Sequence, residues 1–534
     1  MALIKKNSIR AMLGAGALAL SGALSTSVLA AELDGRSIIR ANCLTCHTED
    51  GASGKFSRIS EQRKTPEGWQ MTLNRMEHLR SLKLPAAEKR AVIKYLADTQ
   101  GLAPSEAAPY RYLLEQDTNR VEEVGEAYAE MCARCHSGAR FGLQRRSEAE
   151  WNLLVHFHMG QHPTLELHAM SRDRPWMQLA LNETVPQLAK DYPFDSQAWR
   201  DWQQAAKPQL GGSWRLLGYV PGKGEFDARM IAAPAGADRF ELRIDGRYAD
   251  GSPMSGSGTA TVYTGYEWRG NLNIDGVAMR QVLAADPKGG AMSGRLFVRS
   301  SREIGGELRA VKEGSASQVL AVMPAHLRAG EAQTLTIVGS RLNGSVSLGK
   351  GVRVLDVLSR SADRITVRAQ ANGAAGMRDV SVGRATGAGL LAVYDRVARV
   401  DVSPANAVSR FGGPGDVQME KVRVAYRAVG YAAGPDGEAG TDDDLRLGYM
   451  PATWAIAPFD EAAAEEKDHE FAGSIDADGV FTPGDAGPNP QRRKSANNGG
   501  NLSVVATVGA GAEAVTGHGH LLVAVPDFVR RVLD

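Results

Sequence analysis

The sequence predicts a chain of several domains that is helical in its first part and built of β-strands after that. Three observations predict this fold class. At 534 residues the chain is too long for a single hydrophobic core. Apolar residues recur with the period of a helix up to about Pro208 and alternate with polar residues beyond it. The 59 glycines indicate many tight turns between short strands.

Residues 1–30 have the composition of a secretory signal peptide. Basic residues precede an apolar stretch from Ala11 to Leu24, and the small-residue cleavage site Val28-Leu29-Ala30 lies before Ala31. A retained membrane helix is the alternative, but the apolar run is short, and no later segment reaches the roughly 18 apolar residues that a span requires. We therefore expect a processed protein, exported to the periplasm, with no membrane span.

The charge balance excludes two classes of partner. The formal net charge is +1. A nearly neutral chain offers no electrostatic reason to expect nucleic acid or an anionic membrane surface as its main partner.

Two copies of a C-x-x-C-H motif carry the chemistry: Cys43-Leu44-Thr45-Cys46-His47 and Cys132-Ala133-Arg134-Cys135-His136. In this pattern two thiols form thioether bonds to haem vinyl groups and the histidine ligates the iron. One copy alone could be a zinc pair, a redox dithiol or chance, whereas two copies after a secretion signal favour two covalent haems c. The motifs hold all 4 cysteines, so none is left for a structural disulfide.

The surrounding helices resemble those of small c-type cytochromes. Amphipathic runs at 36–41 and 124–131 precede the motifs, as the N-terminal helix does in that fold. A further helix from Leu84 to about Gly101 resembles its closing helix. These features predict a tandem cytochrome c-like domain with units at 31–104 and 105–208.

An internal repeat suggests the second ligand of each iron. When Trp69 is aligned with Trp151, Met76 and His158 each stand seven residues further on. A thioether sulfur or an imidazole nitrogen can complete six-coordination opposite the proximal histidine. The predicted pairs are therefore His47/Met76 and His136/His158.

Alternative ligands remain open at both sites. Met76 could be a core methionine, with His78 as the next candidate for the first haem. The competitors of His158 are His156, His162, Met159 and His168, chiefly the first two. Because methionine generally raises the potential, electrons are expected to run from the His/His haem to the His/Met haem.

Short alternating strands between glycine and aspartate turns predict an antiparallel up-and-down β-barrel at 209–316. Asp245-Gly246 and Asp275-Gly276 are among its predicted turns. Strand runs at 317–395 and 396–534 predict two immunoglobulin-like β-sandwich domains. An acidic loop near Asp442 lacks the spacing of a calcium-binding loop, which favours a solvated loop over a metal site.

This order of domains resembles the alpha subunit of quinohemoprotein amine dehydrogenase over essentially the whole mature chain. The resemblance implies a periplasmic heterotrimer with a beta-propeller subunit and a small gamma subunit. It implies that amine oxidation occurs on a cysteine tryptophylquinone of the gamma subunit. This chain would then accept the electrons and pass them to a soluble cupredoxin or cytochrome c.

No nucleophile elbow, phosphate loop or dinucleotide fingerprint stands out, so we expect no catalytic residue for the substrate on this chain. Two other functions remain open. A dihaem peroxidase would pair similar haems but would leave the β-rich half unexplained. A free-standing dihaem carrier would use its β domains for binding.

Overall fold

A computed structural model describes residues 33–314, 316–413 and 420–525. The predicted signal peptide at 1–30 and the end of the predicted 396–534 domain lie outside these residues. Within the described ranges, no helix is long and apolar enough to cross a membrane.

The N-terminal part of the described chain is helical, as the sequence predicts. Its α-helices are α1 (Gly35–Cys43), α2 (Pro66–Arg80), α3 (Ala86–Thr99), α4 (Pro104–Ala107), α5 (Arg111–Leu114), α6 (Glu126–Met131), α7 (Ala139–Gly142), α8 (Glu148–Gln161), α9 (Trp176–Leu179), α10 (Val185–Asp191) and α11 (Gln197–Gln204). Short 3-10 turns at Ala108–Tyr110 and Leu165–Leu167 and a π-helical turn at Ala180–Thr184 lie between them. Two separate apolar cores form in this region, one around Trp69 and one around Trp151.

Helices α2 and α8 begin in the same way. The side chains of Thr65 and Ser147 cap them by accepting a hydrogen bond from the backbone N–H three residues further on. Trp69 and Trp151 each follow their cap by four residues, and each is 1 % exposed. The tryptophan alignment read from the sequence therefore corresponds to a repeated element of the fold.

A two-stranded ribbon joins the two helical units. Strand β1 (Gln62–Lys64) pairs antiparallel with β2 (Gln144–Arg146), one strand from each unit. Arg63 donates from two nitrogens to the buried Glu106 carboxylate at 2.8 and 2.9 Å, and Arg145 donates to it at 3.1 Å. The ribbon and α4 are thus held together by a buried ion cluster.

A closed antiparallel barrel follows, which confirms the predicted barrel. Its strands are β3 (Gly212–Val220), β4 (Gly224–Pro234), β5 (Arg239–Tyr248), β6 (Pro253–Tyr263), β7 (Glu267–Ile274), β8 (Val277–Ala285), β9 (Ala291–Val298) and β10 (Ser301–Lys312). Each strand pairs with the next, and β10 returns to β3. Trp214, Phe226 and Trp268 fill the interior with no exposed surface. The lumen is a packed core.

One predicted turn is wrong. Asp245-Gly246 lies inside β5, where a side chain on Gly246 would place its Cβ 2.3 Å from the Asp227 carbonyl oxygen. The glycine therefore permits close strand packing and makes no turn. Asp275-Gly276, by contrast, connects β7 to β8 with φ angles of 49° and 84°, the left-handed conformation of a tight hairpin turn.

Further sheets follow the barrel. The next eight strands form one system: β11 (Gln318–Met323), β12 (His326–Arg328), β13 (Ala332–Ser340), β14 (Val346–Ser347), β15 (Val352–Arg360), β16 (Arg364–Ala371), β17 (Gly376–Val382) and β18 (Ala385–Tyr394). Their order is β14-β17-β18-β11-β13-β16-β15, and β12 pairs with β18.

The last described segment contains three small sheets and two short helices. Its elements are β19 (Arg399–Ser403), β20 (Asn406–Arg410), β21 (Val424–Ala425), β22 (Arg427–Ala432), β23 (Leu445–Met450), β24 (Thr453–Pro458), α12 (Glu461–Glu465), α13 (Asp468–Phe471), β25 (Gly473–Ile475), β26 (Val480–Pro483), β27 (Gly500–Val508) and β28 (Val515–Ala524). The sheet orders are β19-β22-β23, β20-β28-β27-β24 and β21-β26-β25. A core of its own, separate from that of the preceding sheet, lies beneath them.

The barrel also holds helix α2 in place. Arg269 of β7 donates to Glu67 of α2 at 2.5 Å and to Glu267 at 3.2 Å, and all three side chains are buried. Burial raises the pKa of Glu267 to about 7. The carboxylates orient the guanidinium between helix and barrel, which fixes the helix that carries Met76.

Candidate functional site

The first motif begins at the last residue of α1. Cys43 is half-buried against the core that contains Ile39 and Trp69, whereas Cys46 is exposed. The backbone N–H groups of Cys46 and His47 both donate to the Cys43 carbonyl oxygen, at 3.2 and 3.0 Å. This tight turn brings both thiols and the imidazole to one end of the helix.

The His47 ring is oriented by the backbone. Its Nδ1 lies 2.8 Å from the Ser57 carbonyl oxygen. A carbonyl oxygen only accepts, so Nδ1 donates this hydrogen bond and Nε2 points to the other side of the ring. Fixing one ring nitrogen to a carbonyl in this way is how proteins orient a metal-binding histidine.

The second motif follows α6 with a different backbone: the N–H groups of Cys132 and Ala133 both donate to the Tyr128 carbonyl oxygen, at 2.8 and 2.9 Å. Cys132 packs against the core that contains Phe141 and Trp151, and Cys135 is exposed. The His136 Nδ1 lies 3.0 Å from the Ser137 carbonyl oxygen, so Nδ1 again donates to a backbone carbonyl. Burial lowers the pKa of His136 and favours the neutral ring that an iron requires.

Burial disfavours the thiolate form of the half-buried cysteine in each motif. All four cysteines are free of disulfide bonds. Burial raises the pKa of Cys132 to about 12, and burial and the neighbouring Cys46 raise that of Cys43. Redox and zinc-binding thiols instead have lowered pKa values. Among the described residues there is also no group of three or more His, Cys, Asp or Glu that could hold a metal ion.

Met76 lies on the inward side of α2. It follows the buried Leu73 by three residues and Trp69 by seven, so the three share one helical face. Met76 is half-buried, whereas His78, the other candidate for this haem, is exposed. The placement favours Met76.

Burial separates His158 from the competing histidines but not from Met159, which is half-buried as well. His158 is half-buried on α8, whereas His156, His162 and His168 are exposed. The His158 Nδ1 lies 2.8 Å from the Leu154 carbonyl oxygen, so it donates to a backbone carbonyl as well. Burial lowers the pKa of His158, as it lowers that of His136.

Three residues that support the motifs and His158 are not predicted from the sequence. Ser57 holds His47, as described above. Glu122 accepts from the Gly138 N–H at 2.7 Å and from the Ser137 hydroxyl, which orders the loop after the second motif. Trp176 lies 6.1 Å from the His158 ring and donates to the Met131 carbonyl oxygen at 2.9 Å. Trp176 therefore links the His158 side to the second motif.

The acidic loop near Asp442 is held by donors of the chain itself. Asp443 accepts from the Thr441 hydroxyl at 2.7 Å, and Asp444 pairs with Arg399 at 3.1 Å. Asp442 is exposed. This arrangement agrees with a solvated loop.

The residues of both motifs fit covalent haem. Each places a half-buried and an exposed thiol beside an imidazole whose Nδ1 is held by a backbone carbonyl, next to an apolar core. The fold and the site thus define a haem-binding protein with a large β-rich part.

Family models extend this assignment along nearly the whole chain. Residues 33–199 match "Quinohemoprotein amine dehydrogenase A, alpha subunit, haem binding". Residues 207–313, 316–395 and 400–533 match domains II, III and IV of the same alpha subunit. The chain belongs to the family of quinohemoprotein amine dehydrogenase alpha subunits, and it is a subunit of an oxidoreductase.

Other comparisons add little. No curated protein sequence matches significantly. A redesigned β-barrel, mFAP1, bound to DFHBI is 17 % identical and covers 20 % of this chain and 94 % of its own, with a TM-score of 0.18. Mouse clustered PcdhgC3 EC1-3 is 10 % identical and covers 44 % and 77 %, with a TM-score of 0.17. The Bacteroides ovatus glucan-utilization protein SGBP-B, in complex with a mixed-linkage heptasaccharide, is 10 % identical and covers 60 % and 68 %, with a TM-score of 0.18. These likenesses carry no functional argument.

Proposed function

We propose that this chain is the dihaem electron-transfer subunit of a periplasmic amine dehydrogenase. It would receive electrons from a cysteine tryptophylquinone on a partner subunit during oxidation of primary amines and pass them to a soluble cupredoxin or cytochrome c. Bound haem c would supply one-electron storage at its iron. The observation that carries the proposal is the repeat of two C-x-x-C-H motifs, each followed by a capped helix that holds a half-buried Met76 or His158 seven residues after its buried tryptophan.

The chain's own residues would attach each haem, ligate its iron and shield it from water. Cys43, Cys46, Cys132 and Cys135 would bind covalently, and His47 and His136 would ligate through Nε2. Met76 and His158 would close the opposite side of each site. The cores around Trp69 and Trp151 would exclude water, and the exposed Cys46 and Cys135 would mark the edges that a redox partner can approach.

The partners in this proposal follow from the family. We expect a heterotrimer with a beta-propeller subunit and a small quinone-bearing gamma subunit, with the β-rich part of this chain contributing to permanent contacts. That 317–395 and 396–534 are immunoglobulin-like domains stays a prediction, as do the exact domain boundaries.

Purification of the native complex tests the function. We expect the native mass of a heterotrimer, haem staining on this chain and quinone staining on a small subunit after denaturation. Capture of the chain alone, with no quinone-bearing partner, would contradict the proposal and favour a free-standing dihaem carrier. Peroxide turnover by the isolated chain would favour a dihaem peroxidase.

Replacing Met76 by alanine is expected to lower the potential of one haem and to remove the sulfur-to-iron absorption of the oxidised protein. The reason is the loss of a thioether that stabilises the reduced iron. Visible and near-infrared spectra with a potentiometric titration measure both effects. Met71→Ala, which alters a half-buried methionine earlier in α2, is the control. A wild-type absorption band in Met76→Ala would show that Met76 is not a ligand.

Replacing His158 by alanine is expected to convert the second iron to a high-spin state, because the His136 site would lose its opposite ligand. Electron paramagnetic resonance of the oxidised protein reads this change. His156→Ala and His162→Ala, at exposed positions, are expected to keep the low-spin spectrum. A low-spin second iron in His158→Ala, together with loss of the low-spin spectrum in His156→Ala or His162→Ala, would assign the ligand to that other histidine.

A further inference from the structure

Two basic side chains of the β1–β2 ribbon are buried: Arg146 donates to Gln144 at 2.8 Å and pairs with Glu150, whereas Lys64 has no anionic partner among the described residues. Lys64 is 3 % exposed and Arg146 is 5 % exposed. The Lys64 Nζ donates to the Thr72 hydroxyl at 2.8 Å and lies 4.9 Å from the Trp69 ring centroid, but within the described chain it forms no ion pair. A buried ammonium without an anion is costly, so this position calls for one.

The nearby carboxylate does not supply the missing charge. Glu150 accepts from Arg58 at 2.8 Å and from Gln62 at 2.8 Å, and the Arg146 guanidinium reaches it only at 3.4 Å. Glu150 is thus shared by Arg58 and Arg146, and no carboxylate of the described residues bonds to the Lys64 amino group.

The Lys64 amino group lies next to helix α2, which carries Met76. Thr72, the partner of Lys64, precedes Met76 by one helical turn. On the same helix, the Arg75 guanidinium lies 5.3 Å from the ring centroid of Phe157, the residue before His158. The cationic cluster, defined as Lys64, Arg75 and Arg146, therefore reaches both helices that carry the distal ligands.

The charges of the cluster act on one another. Burial, followed by the charges of Arg146 and Arg75, holds the pKa of Lys64 well below its usual range. Burial lowers the pKa of Arg146 too, and Arg75 adds to the effect. A carboxylate placed among these groups would restore the ammonium form of Lys64, because an opposite charge favours the ionised state.

We propose that the cationic cluster binds propionate carboxylates of the haems attached to the two motifs. The inference rests on the proposed function, which supplies these carboxylates. Guanidinium and ammonium groups bind carboxylates through charge-assisted hydrogen bonds, the strongest that proteins form. The same positive charges favour the reduced iron, so the cluster raises the potential of the haem whose propionate it holds.

Lys64→Met tests the site in the intact complex. We expect a lower potential for one haem in a spectroelectrochemical titration. We also expect a shift of the propionate bands in redox-difference infrared spectra of protein whose haem propionates carry ¹³C. Lys64→Arg should restore both readouts, and Lys83→Met, which removes an exposed charge in the same unit, should change neither. Arg75→Met, at a half-buried position, is the second variant with the same expectation.

The outcomes separate the possible anions. Wild-type potentials and propionate bands in both Lys64→Met and Arg75→Met would overturn the proposal. A wild-type potential that depends on phosphate concentration at constant ionic strength would assign the site to a free anion and would also overturn it. Absence of covalent haem from the wild-type chain would refute the proposed function itself, whereas two haems with unshifted bands would refute the propionate site alone.

Discussion

Replacing Cys132 by serine is expected to remove stable covalent attachment of one haem, because serine forms no thioether and Cys132 is the half-buried thiol of its motif. The exposed Cys135 would provide at most a single bond. Mass spectrometry of the denatured chain and the pyridine haemochrome spectrum count the remaining attachment. We expect one fully attached haem, at the first motif.

Cys43→Ser is the matched variant, since Cys43 occupies the same position in the first motif. It is expected to spare the second haem and weaken the first, and the double variant should weaken both. Two intact covalent haems in Cys132→Ser, each with the absorption band of a doubly attached haem, would refute the attachment scheme.

Replacing Glu106 by glutamine is expected to lower the free energy of unfolding of the helical region by about 3–5 kcal/mol. Glu106 is 8 % exposed and is shared by Arg63 and Arg145, so its neutralisation leaves two buried guanidinium groups without their carboxylate. Denaturant unfolding followed by tryptophan fluorescence measures the loss. Glu513→Gln, which removes the partner of the more exposed Arg328, should cost far less, because water already screens that pair. Equal losses of unfolding free energy in the two variants would show that the buried Glu106 stabilises the fold no more than an exposed ion pair does.

The same carboxylate gives a pH dependence. Burial alone would raise the pKa of Glu106, but its hydrogen bonds to Arg63 and the charges of Arg63 and Arg145 lower it to about 2. Because the folded pKa lies below the unfolded value near 4.3, the stabilisation is present above that value and is lost as the pH falls towards 2. Glu106→Gln should therefore show a weaker loss of stability between pH 4 and about 2 than the wild type.

Alternation of apolar and polar residues predicts a strand only where it is clear, and two strands of the barrel have a composition that favours helix. Strand β8, which includes Ala278-Met279-Arg280-Gln281, is rich in helix-forming residues, and β4 contains alanines and charged residues. Both form because their neighbours in the barrel complete the hydrogen-bond ladder. Asp245-Gly246 was misread for the related reason that glycine marks a close strand contact as well as a turn.

At the site, the sequence predicts features that depend on local spacing. It does not predict contacts between residues that are far apart in the chain. The spacing within each C-x-x-C-H motif predicts haem attachment directly, and the Trp69 and Trp151 alignment predicts where the opposite ligands lie. The choice among histidines near His158 depended on burial, which the helical folding of α8 and its contact with Trp176 determine. No sequence spacing could have revealed that Lys64, Arg75 and Arg146 converge, because that depends on the pairing of β1 with β2.

The central claim is that electrons from amine oxidation enter haems on this chain. Anaerobic addition of a primary amine to the purified complex, with no external acceptor, tests it by visible spectroscopy. We predict that the reduced haem c bands appear, first at the higher-potential haem held by Met76. Consumption of the quinone absorption with both haems remaining oxidised would contradict the account.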